Sequence, residues 1–251
     1  MNLLQDKSAV VIGATSGVGL ATVKHLVSEG VSVVAVARGR EGLSALSARF
    51  DGAVRTVQAD ATDATTAERL LREFDPQFVV LAAGVRPQMG TIDKFSWEAF
   101  SSPWNADTKA AFHLLKAVLA LPLRAGGTVA IVSSGAAIAG SPLSGGYAGA
   151  KRMQWLMAQY AQEVSDSKKL GIRFLAVVPR QLIVDTEIGT TAATNYGATQ
   201  GLSAAEFLKR RWNVPLDADT VGAAIVSGLR GDIADGVTAI AVTGEGIEPL
   251  E

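Results

Sequence analysis

Apolar residues along the chain fall into short runs separated by amphipathic stretches, the alternation expected of strands interleaved with helices. The first run, 9–12, enters the turn Gly13-Ala14-Thr15-Ser16-Gly17-Val18-Gly19. Beyond it, Leu20, Val23 and Val27 recur at helical spacing until Gly30 stops the pattern. Further strands are predicted at 31–37, 53–59, 78–82, 128–132, 172–178 and 237–242, giving seven in all. Most are nearly continuous in Val, Ile, Leu and Ala, as parallel strands covered on both faces require. Helices are predicted at 41–50, 64–74, 104–121, 148–163, 204–211 and 219–229. The stretch 85–103, with two prolines, reads as loop, and 185–215 reads as a mobile substrate lid after a strand end.

The pattern shows no internal repeat or linker, so the 251 residues are expected to form one α/β domain. Charge alters the picture only by exclusion: 23 Lys+Arg against 24 Asp+Glu offers no long-range attraction to nucleic acid or an anionic membrane. With no cysteine, disulfides and thiolate chemistry are excluded, and His25 and His113 lie far apart, so no metal site is expected. No signal peptide is visible near the polar N-terminus and no apolar run approaches about eighteen residues, which makes the cytoplasm the expected location.

A strand, a glycine turn and a helix N-terminus together suit a pyrophosphate, because unpaired N–H groups and the helix dipole face the anion. The glycines at 13, 17 and 19 form a GxxxGxG pattern, wider than GxGxxG. The strand 31–37 ends at Arg38-Gly39-Arg40 without an acid. At that place an acid reads the ribose of NAD and an arginine the extra phosphate of NADP, so Arg38 and Arg40 are candidates for a 2′-phosphate, Arg38 the better because it is nearest the strand end, with an ordinary basic loop the alternative. Asp60 ends the next strand, where it would accept a hydrogen bond from adenine or cap the following helix with Asp63. Ala83-Gly84 offers a flat approach for a cofactor. Ser133-Ser134 closes a central strand, with crevice and turn-capping roles both open. Tyr147 and Lys151, four apart, share one helix face. A nearby ammonium favours a phenolate, which fits such a pair for proton transfer, although a packed helix face has the same spacing.

Taken in order, the glycine turn, Ala82-Ala83-Gly84, Ser134 thirteen residues before Tyr147, and Tyr147 with Lys151 resemble the short-chain dehydrogenase/reductase family over about residues 7–243. The resemblance implies a Rossmann-type doubly wound fold with a seven-stranded parallel sheet in the order 3-2-1-4-5-6-7 and helices on both faces. It implies an oxidoreductase with NADP(H) preferred and NAD(H) possible, a small carbonyl or alcohol substrate, and a homo-oligomer, dimer or tetramer, built through the long helices. Tyr147 is implied as acid and base, Lys151 as its activator and ribose ligand, and Ser134 as donor to the substrate oxygen. Cofactor contacts are implied at Gly13, Thr15, Ser16, Gly17, Val18, Gly19, Arg38, Asp60, Ala61, Ala83, Gly84, Tyr147, Lys151, Pro179 and Thr186. A non-catalytic nucleotide-binding protein of the same fold is the alternative.

Several positions depart from the family pattern. Asp107 stands where an asparagine supporting a lysine–water relay is usual, placing a negative charge near Lys151 and pointing to a working or altered relay rather than a dead one. Ile12 replaces a threonine, Ser16 stands where many NADP-dependent members carry a second arginine, and Arg180 follows Pro179 in place of glycine. Arg180 would bind an acidic substrate or pair with a surface acid. Met89, Ala136, Ile138, Leu143, Trp155, Ile188, Tyr196 and Trp212 are the candidate lining of an apolar or aromatic substrate pocket.

Overall fold

The computed structural model describes residues 4–250, leaving Met1, Asn2, Leu3 and Glu251 of the expected domain outside the described residues. Among these described residues eight strands form one sheet: β1 (Ser8–Ile12), β2 (Ser32–Ala37), β3 (Arg55–Gln58), β4 (Phe78–Leu81), β5 (Thr128–Val132), β6 (Arg173–Pro179), β7 (Ala239–Thr243) and β8 (Gly246–Pro249). Their order is β3-β2-β1-β4-β5-β6-β7-β8. The first seven pair parallel, and β8 pairs antiparallel with β7, so the expectation of seven strands is corrected to eight. The added strand, Gly-Ile-Glu-Pro, is exposed throughout and lacks the apolar run that marked the others.

Among the described residues ten α-helices accompany the sheet: α1 (Gly17–Ser28), α2 (Arg40–Arg49), α3 (Thr66–Phe74), α4 (Trp97–Pro103), α5 (Lys109–Ala120), α6 (Ala136–Ala139), α7 (Tyr147–Ser167), α8 (Glu187–Ala198), α9 (Ala204–Arg211) and α10 (Ala218–Arg230). Period-two alternation divides the core in two. Ala9, Val11, Val80, Ala130, Leu175 and Ile240 face α1 and α10. Val10, Ile12, Leu81, Ile131, Phe174 and Val178 face α3, α5 and α7. This double coverage explains the continuous apolar strands and leaves the carboxyl ends of β1, β4, β5 and β6 converging on one crevice.

Two loop expectations are overturned. Within 85–103, Ile92–Lys94 is a 3-10 turn and α4 follows, its first turn fixed by Ser96 Oγ accepting from Ala99 N–H at 3.2 Å. The lid segment contains α8 as well as the expected α9. The predicted helix 104–121 opens as a π-helical turn, Trp104–Thr108, before α5.

Candidate active site

At the end of β1 the backbone turns through Gly13, whose φ of +88° suits glycine. A Cβ there would stand 2.5 Å from Ala83 N, so glycine also lets this turn pack against the end of β4. Gly13 and Ala14 donate to the Val36 carbonyl at 2.8 and 3.2 Å, tying the turn to β2. Ser16 starts α1 without a side-chain cap, and the first turn of α1 contains no acid. The N–H groups and dipole of this helix end therefore remain available to an anion, which is the fit that a dinucleotide pyrophosphate requires. Gly19 lies behind the turn, packed beneath the Gly13 carbonyl.

Arg38, at the end of β2, is exposed, and Gln58 Nε2 donates to its backbone carbonyl at 2.9 Å. Asp60 Oδ1 accepts from both the N–H and the hydroxyl of Thr62 at 2.9 Å, and these bonds hold its carboxyl below the usual aspartate range. Asp63 makes the same turn with Thr65. Thr65 itself occupies the N-cap position of α3, so neither aspartate is that helix's N-cap.

At the other end of the crevice, β5 delivers two serines with different tasks. Ser133 is buried and donates to the Lys151 carbonyl at 2.7 Å, docking the first turn of α7 on the sheet. Ser134 accepts from Ala136 N–H at 3.2 Å, leaving its own O–H proton for another acceptor. Trp104 Nε1 donates to the Gly146 carbonyl at 3.1 Å and Thr108 to the Ala150 carbonyl at 3.3 Å, so the π turn also fixes the start of α7. Tyr147 and Lys151 share the cleft-facing side of that helix, with Nζ 5.6 Å from the phenol ring centre.

Lys151 Nζ lies 3.0 Å from Asp107 Oδ2 and donates to the Val132 carbonyl at 3.3 Å. The Asp107 contact is an ion pair rather than an aligned hydrogen bond. Asp107 Oδ1 accepts from Val85 N–H at 2.9 Å, and its backbone carbonyl accepts from Gln154 Nε2 at 3.0 Å. Burial is the strongest influence on Lys151 and favours the neutral amine, but the charges of Asp107 and then Tyr147 outweigh it. The ammonium is therefore held above the usual lysine range.

Every predicted site residue except Gly19 lines one cleft of about 560 Å³, which runs from the glycine turn and Arg38 to Ser134, Tyr147, Lys151, Asp107, Pro179 and Thr186. The Thr186 hydroxyl caps α8, accepting from Gly189 N–H at 3.1 Å and donating to the Ile183 carbonyl at 2.9 Å. Of the predicted substrate-pocket residues only Ile188 lines this cleft. Trp155 belongs instead to the core beneath α7, because its place on the helix turns it toward the sheet. Tyr196 bonds outside the cleft to Ser141 Oγ at 2.8 Å and Leu143 N–H at 3.3 Å, and stacks on Phe207. Arg180 also leaves the cleft and pairs with Glu248 of β8, which decides for the surface-acid role. Arg86 and Glu187 pair across the cleft mouth. Among the described residues no cluster of His, Asp or Glu would hold a metal, and no helix is long and apolar enough to cross a membrane.

The model of the short chain dehydrogenase family matches residues 7–197, which span the glycine turn, Ser134, Tyr147 and Lys151. The chain belongs to the short-chain dehydrogenase family. An uncharacterized oxidoreductase of Staphylococcus epidermidis is 23% identical over 209 residues, covering 81% of this chain and 88% of the relative. A 2,5-dichloro-2,5-cyclohexadiene-1,4-diol dehydrogenase of Sphingobium indicum is 27% identical over 186 residues, covering 71% and 74% of the two chains. The solved structure of levodione reductase superposes with a TM-score of 0.83 at 23% identity, covering 96% of this chain and 97% of its own. The doubly wound fold accounts for the crevice, and the side chains that line it determine its chemistry.

Proposed function

We propose that this short-chain dehydrogenase is an NADP(H)-preferring oxidoreductase acting on a carbonyl or alcohol group of an apolar or aromatic substrate. The observation that carries the reading is the assembly of Ser134, Tyr147 and Lys151 at one end of the cleft whose other end is the uncapped α1 terminus and Arg38. The Gly13–Gly19 turn would hold the pyrophosphate, Arg38 the 2′-phosphate, and Lys151 the ribose next to the nicotinamide. When bound, the nicotinamide supplies or accepts a hydride. Tyr147 gives its hydroxyl proton to the carbonyl oxygen in reduction and takes it back in oxidation. Ser134, with its O–H proton uncommitted to the turn, donates to the same oxygen and stabilises the charge that develops there. Ile12, Val85, Leu182, Ile183 and Ile188 give the cleft its apolar walls.

The Sphingobium relative is named for a ring alcohol, which supports a ring-bearing substrate here. Phe112 on α5 and Tyr160 on α7 are each 51% exposed and support a dimer or tetramer formed through those helices. A panel of apolar and aromatic ketones, followed by NADPH oxidation, tests the activity. Turnover by the parent and its loss in Tyr147→Phe, with nucleotide binding retained, is the expected result. Equal turnover in the two proteins would overturn the assignment of Tyr147.

A further inference from the structure

Asp107 is buried, with a relative exposure of 1%, yet it carries a carboxyl group into the inner end of the cleft. Both of its oxygens face donors: Oδ1 accepts from Val85 N–H at 2.9 Å, and Oδ2 stands 3.0 Å from the Lys151 ammonium. An ionised carboxylate accepts at both oxygens and suits both neighbours. An amide in the same place would turn its NH2 toward either the Val85 N–H or the ammonium, donor against donor. The space is equally specific. A Cβ on residue 84 would stand 2.9 Å from Asp107 Oδ2 and 3.4 Å from Lys151 Nζ, so the pair occupies room that Gly84 leaves. On its other side Nζ donates to the Val132 carbonyl at 3.3 Å. The ammonium is thus held between the π turn and β5 while it lines the cleft.

We propose that Asp107 is a positioning residue, a fixed counter-ion that keeps the Lys151 ammonium charged and aimed into the nucleotide cleft. The proposal rests on the reading of that cleft as a nicotinamide-nucleotide site. The charged and titratable groups that act on Lys151 are Asp107 from the π turn and Tyr147 from its own helix. From β5 it meets the Val132 backbone carbonyl, and from the segment after β4 the backbone at Gly84. Burial alone favours the neutral amine, and Asp107 is the larger of the two charges that oppose it. Removing that charge lets Lys151 release its proton at lower pH, and a donor to the nucleotide is lost with it.

Calorimetric titration of the full chain with NADPH between about pH 7 and pH 9.5 reads this directly. Across that range the parent is expected to change its Kd by less than about twofold, whereas Asp107→Asn is expected to weaken by roughly tenfold or more as Lys151 deprotonates. A purely structural role would move the whole profile by a constant factor, so parallel profiles would overturn the proposal. A melting-temperature cycle gives a readout that needs no nucleotide. Asp107→Asn should lower Tm in the parent but raise it in a Lys151→Met background, where it removes an unpaired buried carboxylate. An equal fall in both backgrounds would contradict the counter-ion role. Absence of NADPH binding by the parent would refute the nucleotide reading and the aim ascribed to Lys151, while the Tm cycle would still judge the pairing.

Discussion

Lys151 and Arg38 stand at the two ends of one cleft in opposite physical settings. Lys151 is 5% exposed and has a carboxylate at 3.0 Å, whereas Arg38 is exposed at the end of β2. A cation taken out of water requires a partner, and the whole inner corner is arranged to provide one. The π turn presents Asp107, Val85 N–H seats it, and Ser133 and Trp104 dock the helix that carries the lysine. A cation left in solvent requires no such setting and is free to choose a ligand, but its interactions are screened by salt. The inner end is therefore built for fixed geometry, whereas the outer end leaves its cation in solvent, open to a ligand.

Substitutions at the inner end should have the largest effects. Tyr147→Phe is expected to reduce turnover by about 10³-fold without altering nucleotide affinity, because it removes the proton donor of the proposed reaction and leaves the cleft's shape intact; steady-state kinetics and calorimetry together check this. Lys151→Met should cost about 3–5 kcal/mol of stability, since it strands a buried carboxylate, and denaturant unfolding reads the loss. At the outer end, Arg38→Ala should leave stability unchanged within about 0.5 kcal/mol. It should weaken NADPH binding by about 1.5–3 kcal/mol, an effect that added salt diminishes, and leave NADH unaffected. The smallest effect belongs to the exposed Arg86–Glu187 pair, where Glu187→Gln should change stability by less than about 1 kcal/mol.

The inner pair also carries a pH signature. Because the folded protein holds the Lys151 proton more tightly than the unfolded chain does, the linked stability is fully present below the unfolded lysine value of about 10.4 and is lost as pH rises through the folded value. Alkaline unfolding of the parent should therefore include one proton released from Lys151, and that contribution should be absent in Lys151→Met.

Much of the outer end was legible in the sequence because its determinants are local. The glycines at 13, 17 and 19 are contiguous with β1 and α1, and Arg38 follows directly on an apolar run. Tyr147 and Lys151 were also legible as a pair, since four residues of helix bring them to one face. The resemblance placed the Asp107 charge near Lys151, and their direct contact further depends on the π turn Trp104–Thr108 and on the missing Cβ at Gly84. Of the three helices that the sequence did not reveal, α4, α6 and α8, two were hidden by composition in longer segments. The prolines of 85–103 and the small polar residues of α8 masked helical periodicity, yet Ser96 and Thr186 were cap signals in the sequence. The facing of Trp155 into the core and of Arg180 toward Glu248 depends on partners distant along the chain.

Calorimetric titration of the parent and Arg38→Ala with NADPH and then NADH, at fixed ionic strength, tests most directly whether the cleft is an NADP(H) site. Tighter binding of NADPH by the parent and loss of that preference in the variant are the expected results. Equal or tighter binding of NADH by the parent would contradict the NADP(H) assignment.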